Sequence, residues 1–345
     1  MFTIKPDTSV LLDHRAFHVA ASSGGSRVVA LTPGGRGSFI DKGRIFAFKV
    51  PEKPNQIALD ASGQFLAVTS DRGLLLLDTA TSAVLAREAG AFQGCLFSGT
   101  HLWVTRASTK QEATLELRDT HTLQVDGQQT IADPFGDSFF MLFSHPGPAA
   151  VSVWAAAGQD GRCLFWACAH AGELSVIPFP ELAEVSPPDF ALTGASFLVI
   201  VDKTEVRHYS YPESRLLATI TWPDDHEEDE IGDSAFFVGP EHAIVESNEG
   251  RMYMLDLRRA ALAEEVAVAG HTPRPVADLY PTLASETGLC TDLAFVVNTG
   301  GGRFLSVHRR LPSKIDEWHD EVAFWCVGIT NEGTGTASLD QGFHG

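Results

Sequence analysis

Carboxylates crowd one short stretch of this sequence. In WPDDHEEDEIGD (222–233), seven acids and one histidine fall between Asp224 and Asp233. Three kinds of chemistry fit such a run. It can be a solvated loop whose charges simply face water. It can be a contact for a basic protein, with Asp224, Asp225, Glu227, Glu228, Asp229 and Glu230 supplying the field and Trp222 an apolar anchor. It can also offer oxygen ligands to a hard cation from Asp224, Asp225, Glu227 and Asp229, but the D-x-[DN]-x-[DN]-G spacing of a calcium loop is absent. A second cluster is DEWHDE (316–321), where His319 stands among Asp316, Glu317, Asp320 and Glu321. A histidine so placed can ligate a metal with Asp316 and Glu317, or act as a base. The plainer reading is a polar loop with its acids outward and Trp318 anchoring it. There is no H-E-x-x-H.

Other chemistry finds less support. TPGGRGS (32–38) and NTGGGRF (298–304) are Gly-rich, yet neither is a G-x-x-x-x-G-K-[ST] phosphate loop, and both read as hairpin loops between second and third strands. No G-x-S-x-G elbow occurs. Five cysteines, odd in number and scattered, read as free thiols of a reducing, cytoplasmic setting. The balance of 25 basic against 44 acidic residues, net −19, repels nucleic acid and anionic membrane surfaces. No stretch has the ~18–20 apolar residues of a membrane-spanning helix. No cofactor motif is present.

The elements that must position these residues are strands. PNQIALDASGQFLAVTSDRGLLLLDTATSAVLARE (54–88) parses into apolar runs at 57–61, 65–70, 74–78 and 83–88, cut by SG, DRG and TATS. Four such strands cannot bury both faces alone, so the unit needs neighbours. Its copies begin near residues 18, 57, 94, 139, 190, 234 and 275, at spacings of 37 to 51 residues. Four strands repeated every ~40–45 residues predict a β-propeller of seven four-stranded antiparallel blades. Asp78, Asp119 and Asp256 each end an apolar third strand, where a short acceptor can satisfy backbone N–H groups in the turn to the fourth. RRAALAEE (258–265) reads as a short helix or as one of these turns. The segment 9–14 is placed to close the last blade as an outer strand, so one propeller domain is expected over 1–328. The Gly-rich tail 329–345 is expected to be mobile. Trp103, Trp154 and Trp166 read as packing between blades.

SDRGLLLLDTATSAVLA (70–86) and NEGRMYMLDLRRAALAEEV (248–266) resemble the blade ends of the WD-repeat or quinoprotein-like propellers. The family's Trp before the Asp is Leu77 in one and Leu255 in the other, and its Gly-His pair is missing. The resemblance implies a protein-interaction platform more often than an enzyme. The expected function is thus a non-enzymatic scaffold, monomeric on its own, that binds a basic protein, for example as an inhibitor or immunity-type protein. The alternatives are a platform within a larger complex and a lactonase-like or sugar-processing enzyme with a metal or carboxylate site at the central channel.

Overall fold

The computed structural model describes residues 2–4, 7–109, 111–145, 149–157, 161–170, 173–179, 185–191, 193–222, 231–247, 251–268, 290–300, 303–311 and 319–326. Their strands form seven sheets. Blade one runs His18–Ala21, Arg27–Leu31, Arg36–Asp41 and Arg44–Lys49. Blade two runs Gln56–Leu59, Phe65–Thr69, Gly73–Asp78 and Val84–Ala89, and blade three Cys95–Ser98, His101–Thr109, Glu112–Asp119 and Val125–Ala132. Blade four has Phe139–Phe143, Ala150–Ala157, Gly161–His170 and Glu173–Pro178; blade five has Asp189–Phe190, Ser196–Val201, Glu205–Ser210 and Leu216–Thr221. Blade six has Ile231–Phe237, His242–Ser247, Met252–Asp256 and Ala261–Val268. Blade seven takes Cys290–Gly300, Arg303–Leu311 and His319–Cys326, then Thr8–Leu11 as its fourth strand. The first strand of each blade touches that of the next from blade one to blade four and again from five through seven back to one, so the first strands face the axis. The fold is a β-propeller.

The blades are held by apolar layers between sheets. LLLL in the third strand of blade two shows the principle, because both of its faces are buried. Leu75 and Leu77 pack with Val29, Leu31 and Phe39 of blade one. Leu74 and Leu76 pack with Leu102 and Val104 of blade three. Trp103 lies in the layer between blades three and four, and Trp166 in that between four and five, with Trp154 partly buried against it. Burial of these layers, at about 25 cal/mol per Å² of apolar surface, is the main stabilising contribution.

The turn-forming aspartates hold their turns. Asp78 Oδ1 accepts from the N–H (2.8 Å) and hydroxyl (2.7 Å) of Thr81. Asp119 Oδ1 accepts from His121 N (3.0 Å), Thr122 N (2.7 Å) and the Thr122 hydroxyl (2.8 Å). Asp256 Oδ1 accepts from Arg258 N (3.1 Å) and Arg259 N (2.9 Å). Four residues after each Asp the chain turns left-handed, at Ser82, Leu123 and Ala260 (φ 57°, 61° and 52°). RRAALAEE is accordingly a turn followed by strand Ala261–Val268, with no helix.

Two placements differ from the sequence reading. Arg36–Asp41 is a strand, where the sequence suggested only a loop running to residue 38. The loop proper is Thr32–Gly35, closed by Gly35 N–H donating to Thr32 O at 2.9 Å. Gly37 sits inside the strand because a Cβ there would run into the carbonyl of Ala30, which hid the strand behind a turn signal. In blade seven, 292–298 belongs to the innermost strand rather than the second, so NTGGGRF joins the first and second strands. The run at 275–280 and the tail 329–345 lie outside the described residues.

Thr8–Leu11 pairs antiparallel with His319–Cys326, Thr8 opposite Phe324 and Leu11 opposite Glu321. Leu12 N donates to Asp320 O at 2.7 Å, and Ala16 N donates to the Asp320 carboxylate at 2.6 Å. Asp320 is 1% exposed. The acids of DEWHDE are therefore not all outward: Asp320 points inward and clasps the segment that leads from blade seven into blade one. Val10, Leu12 and Ala16 pack there against Val28, Ile40, Leu305 and Val322. Asp320→Ala leaves the buried Ala16 N–H without an acceptor. The expected loss is about 1–3 kcal/mol in urea unfolding, with Asp320→Asn, which keeps an oxygen, losing less.

Candidate functional site

A propeller presents its axis and its loop faces to partners, so the polar groups near the first strands come first. Several of those described are occupied by the fold. Thr69 Oγ1 donates to Gln93 O (2.7 Å) and Thr105 Oγ1 to Phe140 O (2.7 Å), each tying one blade to the start of the next. Gln56 Nε2 donates to Leu142 O (2.6 Å), and its Oε1 accepts from Leu142 N (3.0 Å) and Cys95 N (3.2 Å), joining blades two, three and four. Gln93 Oε1 accepts from Phe140 N (3.2 Å), and Asp189 Oδ2 accepts from Phe237 N (2.8 Å).

The ionised groups between blades two and three are likewise paired. Arg118, 1% exposed, donates Nε to Glu116 (2.8 Å), Nη2 to Glu88 (3.0 Å) and Nη1 to the Leu123 carbonyl (2.7 Å). Arg106 Nε lies 2.9 Å from the other Glu116 oxygen. Both guanidinium groups stand over the Phe92 ring, at 5.3 Å and 5.9 Å. Burial opposes the Arg118 charge, but the Glu88 and Glu116 carboxylates outweigh it and hold its pKa above the ordinary value. The hydrogen bond from Arg118 holds Glu88 below its own. Glu52, itself buried, is paired too: its carboxylate accepts from the Ser70 hydroxyl and lies 2.5 Å from Nη2 of the exposed Arg87.

Between blades four and five the cement is aromatic. His145 lies 5.5 Å from Trp166, 5.0 Å from Phe190 and 4.8 Å from Tyr211. Trp166 also contacts Phe179 and Phe197. Burial pushes the His145 imidazole down to about 4. Sequence reading did not find this cluster, because its rings come from six separate strands and connections whose proximity only the fold creates.

The segment singled out by sequence is only framed by the structure. Asp224, Asp225, Glu227, Glu228, Asp229 and Glu230 lie outside the described residues. Its two ends are described, and both rest on one turn of blade five. Trp222 N donates to Thr204 O (2.8 Å), and Ile231 N donates to Lys203 O (3.1 Å). Trp222 is half-buried, its ring edge-on to Tyr253 at 5.0 Å, so it anchors the connection between blades five and six. Asp316 and Glu317 lie outside the described residues, and so does the side chain of His319, which opens the third strand of blade seven. Among the described residues no group of three His, Cys, Asp or Glu is placed to hold a metal ion. Cys95, Cys163 and Cys168 are free; Cys95 is buried and the other two are half-buried.

No family model matches the chain, and no curated protein matches it. It is similar in structure to the β-propeller domain of Cps50 (Swd1) from Myceliophteria thermophila. The TM-score is 0.61 at 9% identity, covering 93% of this chain and 100% of that one. That likeness shows the fold.

Two outcomes follow from the buried groups. Arg118→Met leaves one Glu116 oxygen without its donor while Arg106 still holds the other, at a cost of about 1–3 kcal/mol in chemical denaturation, and adding Glu116→Leu recovers part of it. For His145, the folded group titrates near 4 and the free side chain at 6.5. Between those values the unfolded chain takes up a proton that the folded chain refuses. The stability it contributes is whole above pH 6.5 and lost as the pH falls toward 4. His145→Gln, compared by urea unfolding at pH 7, 6 and 5, should flatten that part of the slope.

Proposed function

We propose that this chain is a non-enzymatic protein-binding β-propeller whose acidic surface takes a basic protein partner, in the manner of an inhibitor or immunity-type protein. The observation that carries the reading is how the scarce cations are used. Basic residues number 25 against 44 acids, and described arginines sit against carboxylates of their own chain: Arg27 on Asp41, Arg87 on Glu52, Arg106 and Arg118 on Glu116, Arg207 on Glu205. The acid excess is therefore left for the surface, where it attracts a basic protein from a distance and speeds encounter. The run from Asp224 to Glu230 concentrates that excess between two ends pinned to one turn, beside the half-buried Trp222. The free thiols suit a reducing compartment such as the cytoplasm.

The test is binding of the purified chain to an array of Lys/Arg-rich, neutral and acidic peptides. The expected result is uptake of basic peptides that weakens about tenfold or more from low to high salt. Converting the six carboxylates to amides (Asp224→Asn, Asp225→Asn, Glu227→Gln, Glu228→Gln, Asp229→Asn, Glu230→Gln) should weaken it comparably at low salt. Binding that ignores salt and survives these substitutions overturns the reading.

A further inference from the structure

Each fourth strand of a propeller leaves a row of N–H and C=O groups unpaired at the rim, and such an edge is a template for another strand. In blade six that template is in use. Residues Phe2–Ile4 lie parallel to Ala261–Val268, with Phe2 opposite Val266, Thr3 opposite Ala267 and Ile4 opposite Val268. Among the described residues no other sheet has a fifth strand, and every other strand pairing is antiparallel. The added strand covers three residues of an eight-residue edge, so among the described residues none pairs with Ala261–Glu265 on that side. It is also separable from ring closure, which the next strand, Thr8–Leu11, performs on blade seven.

From these placements we infer that the outer edge of blade six is a docking site for an extended segment of a partner protein, of the apolar–x–apolar type, bound as a parallel strand. Phe2-Thr3-Ile4 is the stand-in that occupies the edge within the chain. A three-residue parallel pairing is a weak competitor, since a longer strand can use the three covered positions and the five beyond them. Main-chain hydrogen bonds supply the affinity and the alternating side chains the selectivity. Displacing residues 2–4 leaves the seven blades closed. Docking at this edge rests on main-chain pairing and does not depend on the acidic run.

The experiment uses a fluorescent peptide of the chain's own sequence, MFTIKPD, as probe, with a scrambled peptide as control. A variant lacking residues 1–4 keeps Thr8–Leu11 and with it the closed ring. Full-length Thr3→Pro, which loosens the strand without removing it, is the second variant. The expected result is that both variants bind the probe at least about tenfold more tightly than the unaltered chain, because the competing segment no longer holds the site. The scrambled peptide should not bind. If both variants keep native circular dichroism and neither takes up the probe, the inference is overturned. Dimerisation of the truncated chain without probe uptake overturns it too, since the edge would then belong to a second copy.

Discussion

Closing the ring is the constraint on which the rest of this structure depends. Each blade buries both faces against neighbours, so a ring left open would expose two apolar faces at once. The three inner strands of blade seven lie far along the chain from blade one. The chain closes the gap by lending Thr8–Leu11 to a sheet whose other strands lie at 290–326. That pairing is among the most non-local in the fold, and its loop-closure entropy must be offset by what it completes. The completed parts are visible: a buried layer from Val10 to Ala16 and a buried carboxylate that spans 304 positions to reach Ala16 N–H. Asp320 serves the junction well because it meets a backbone donor that would otherwise be buried without an acceptor.

The blades share geometry but not chemistry. Blades two, three and four are tied through Thr69, Thr105, Gln56 and Gln93; blades two and three also share a buried ion cluster; blades four and five share rings. Any of these satisfies the same demand, a filled and hydrogen-bonded interface between twisted sheets. Different side chains can therefore build the same fold, as the 9% identity to its structural neighbour illustrates.

Legibility in the sequence followed the same division between local and non-local. Asp78, Asp119 and Asp256 were readable because an Asx turn is complete within four residues and recurs with the blade. The four-strand rhythm was readable for blades two to six for the same reason. Arg36–Asp41 was not, since Gly37 answers to the carbonyl of Ala30 across the hairpin and looks like a loop from its neighbours alone. Strand order in blade seven was obscured because the apolar run at 275–280 reads as a first strand, which pushed 292–298 into second place, whereas Cys290–Gly300 is the innermost strand. Of the candidate site, composition gave the acidic field and the run at 224–230. Nothing local pointed to Asp320 as a clasp or to His145 among rings, because their partners lie on other blades or far along the chain, and Arg118 is buried by its packing beside Glu88 of blade two, although Glu116 and Leu123 are near it in sequence.

The protonation states bear on whether those acids act by reaction or by charge. A general acid or base works best with a pKa near the working pH. The shifted carboxylates here move the other way. Hydrogen bonds from the amide and hydroxyl of Thr122 hold Asp119 down to about 2, and those from Thr81 lower Asp78. Burial works against Asp133, yet the Ser138 hydroxyl and N–H outweigh it and its pKa is lowered as well. Each is an acceptor held in a fixed geometry, ionised at every physiological pH. Such groups are poorly suited to passing protons and well suited to making a permanent negative field. Among the described residues Arg27, Arg87, Arg106, Arg118 and Arg207 sit on neighbouring acids, so the proposed field rests on the acids left over, and fixed ionised acceptors are the kind of group that can supply it.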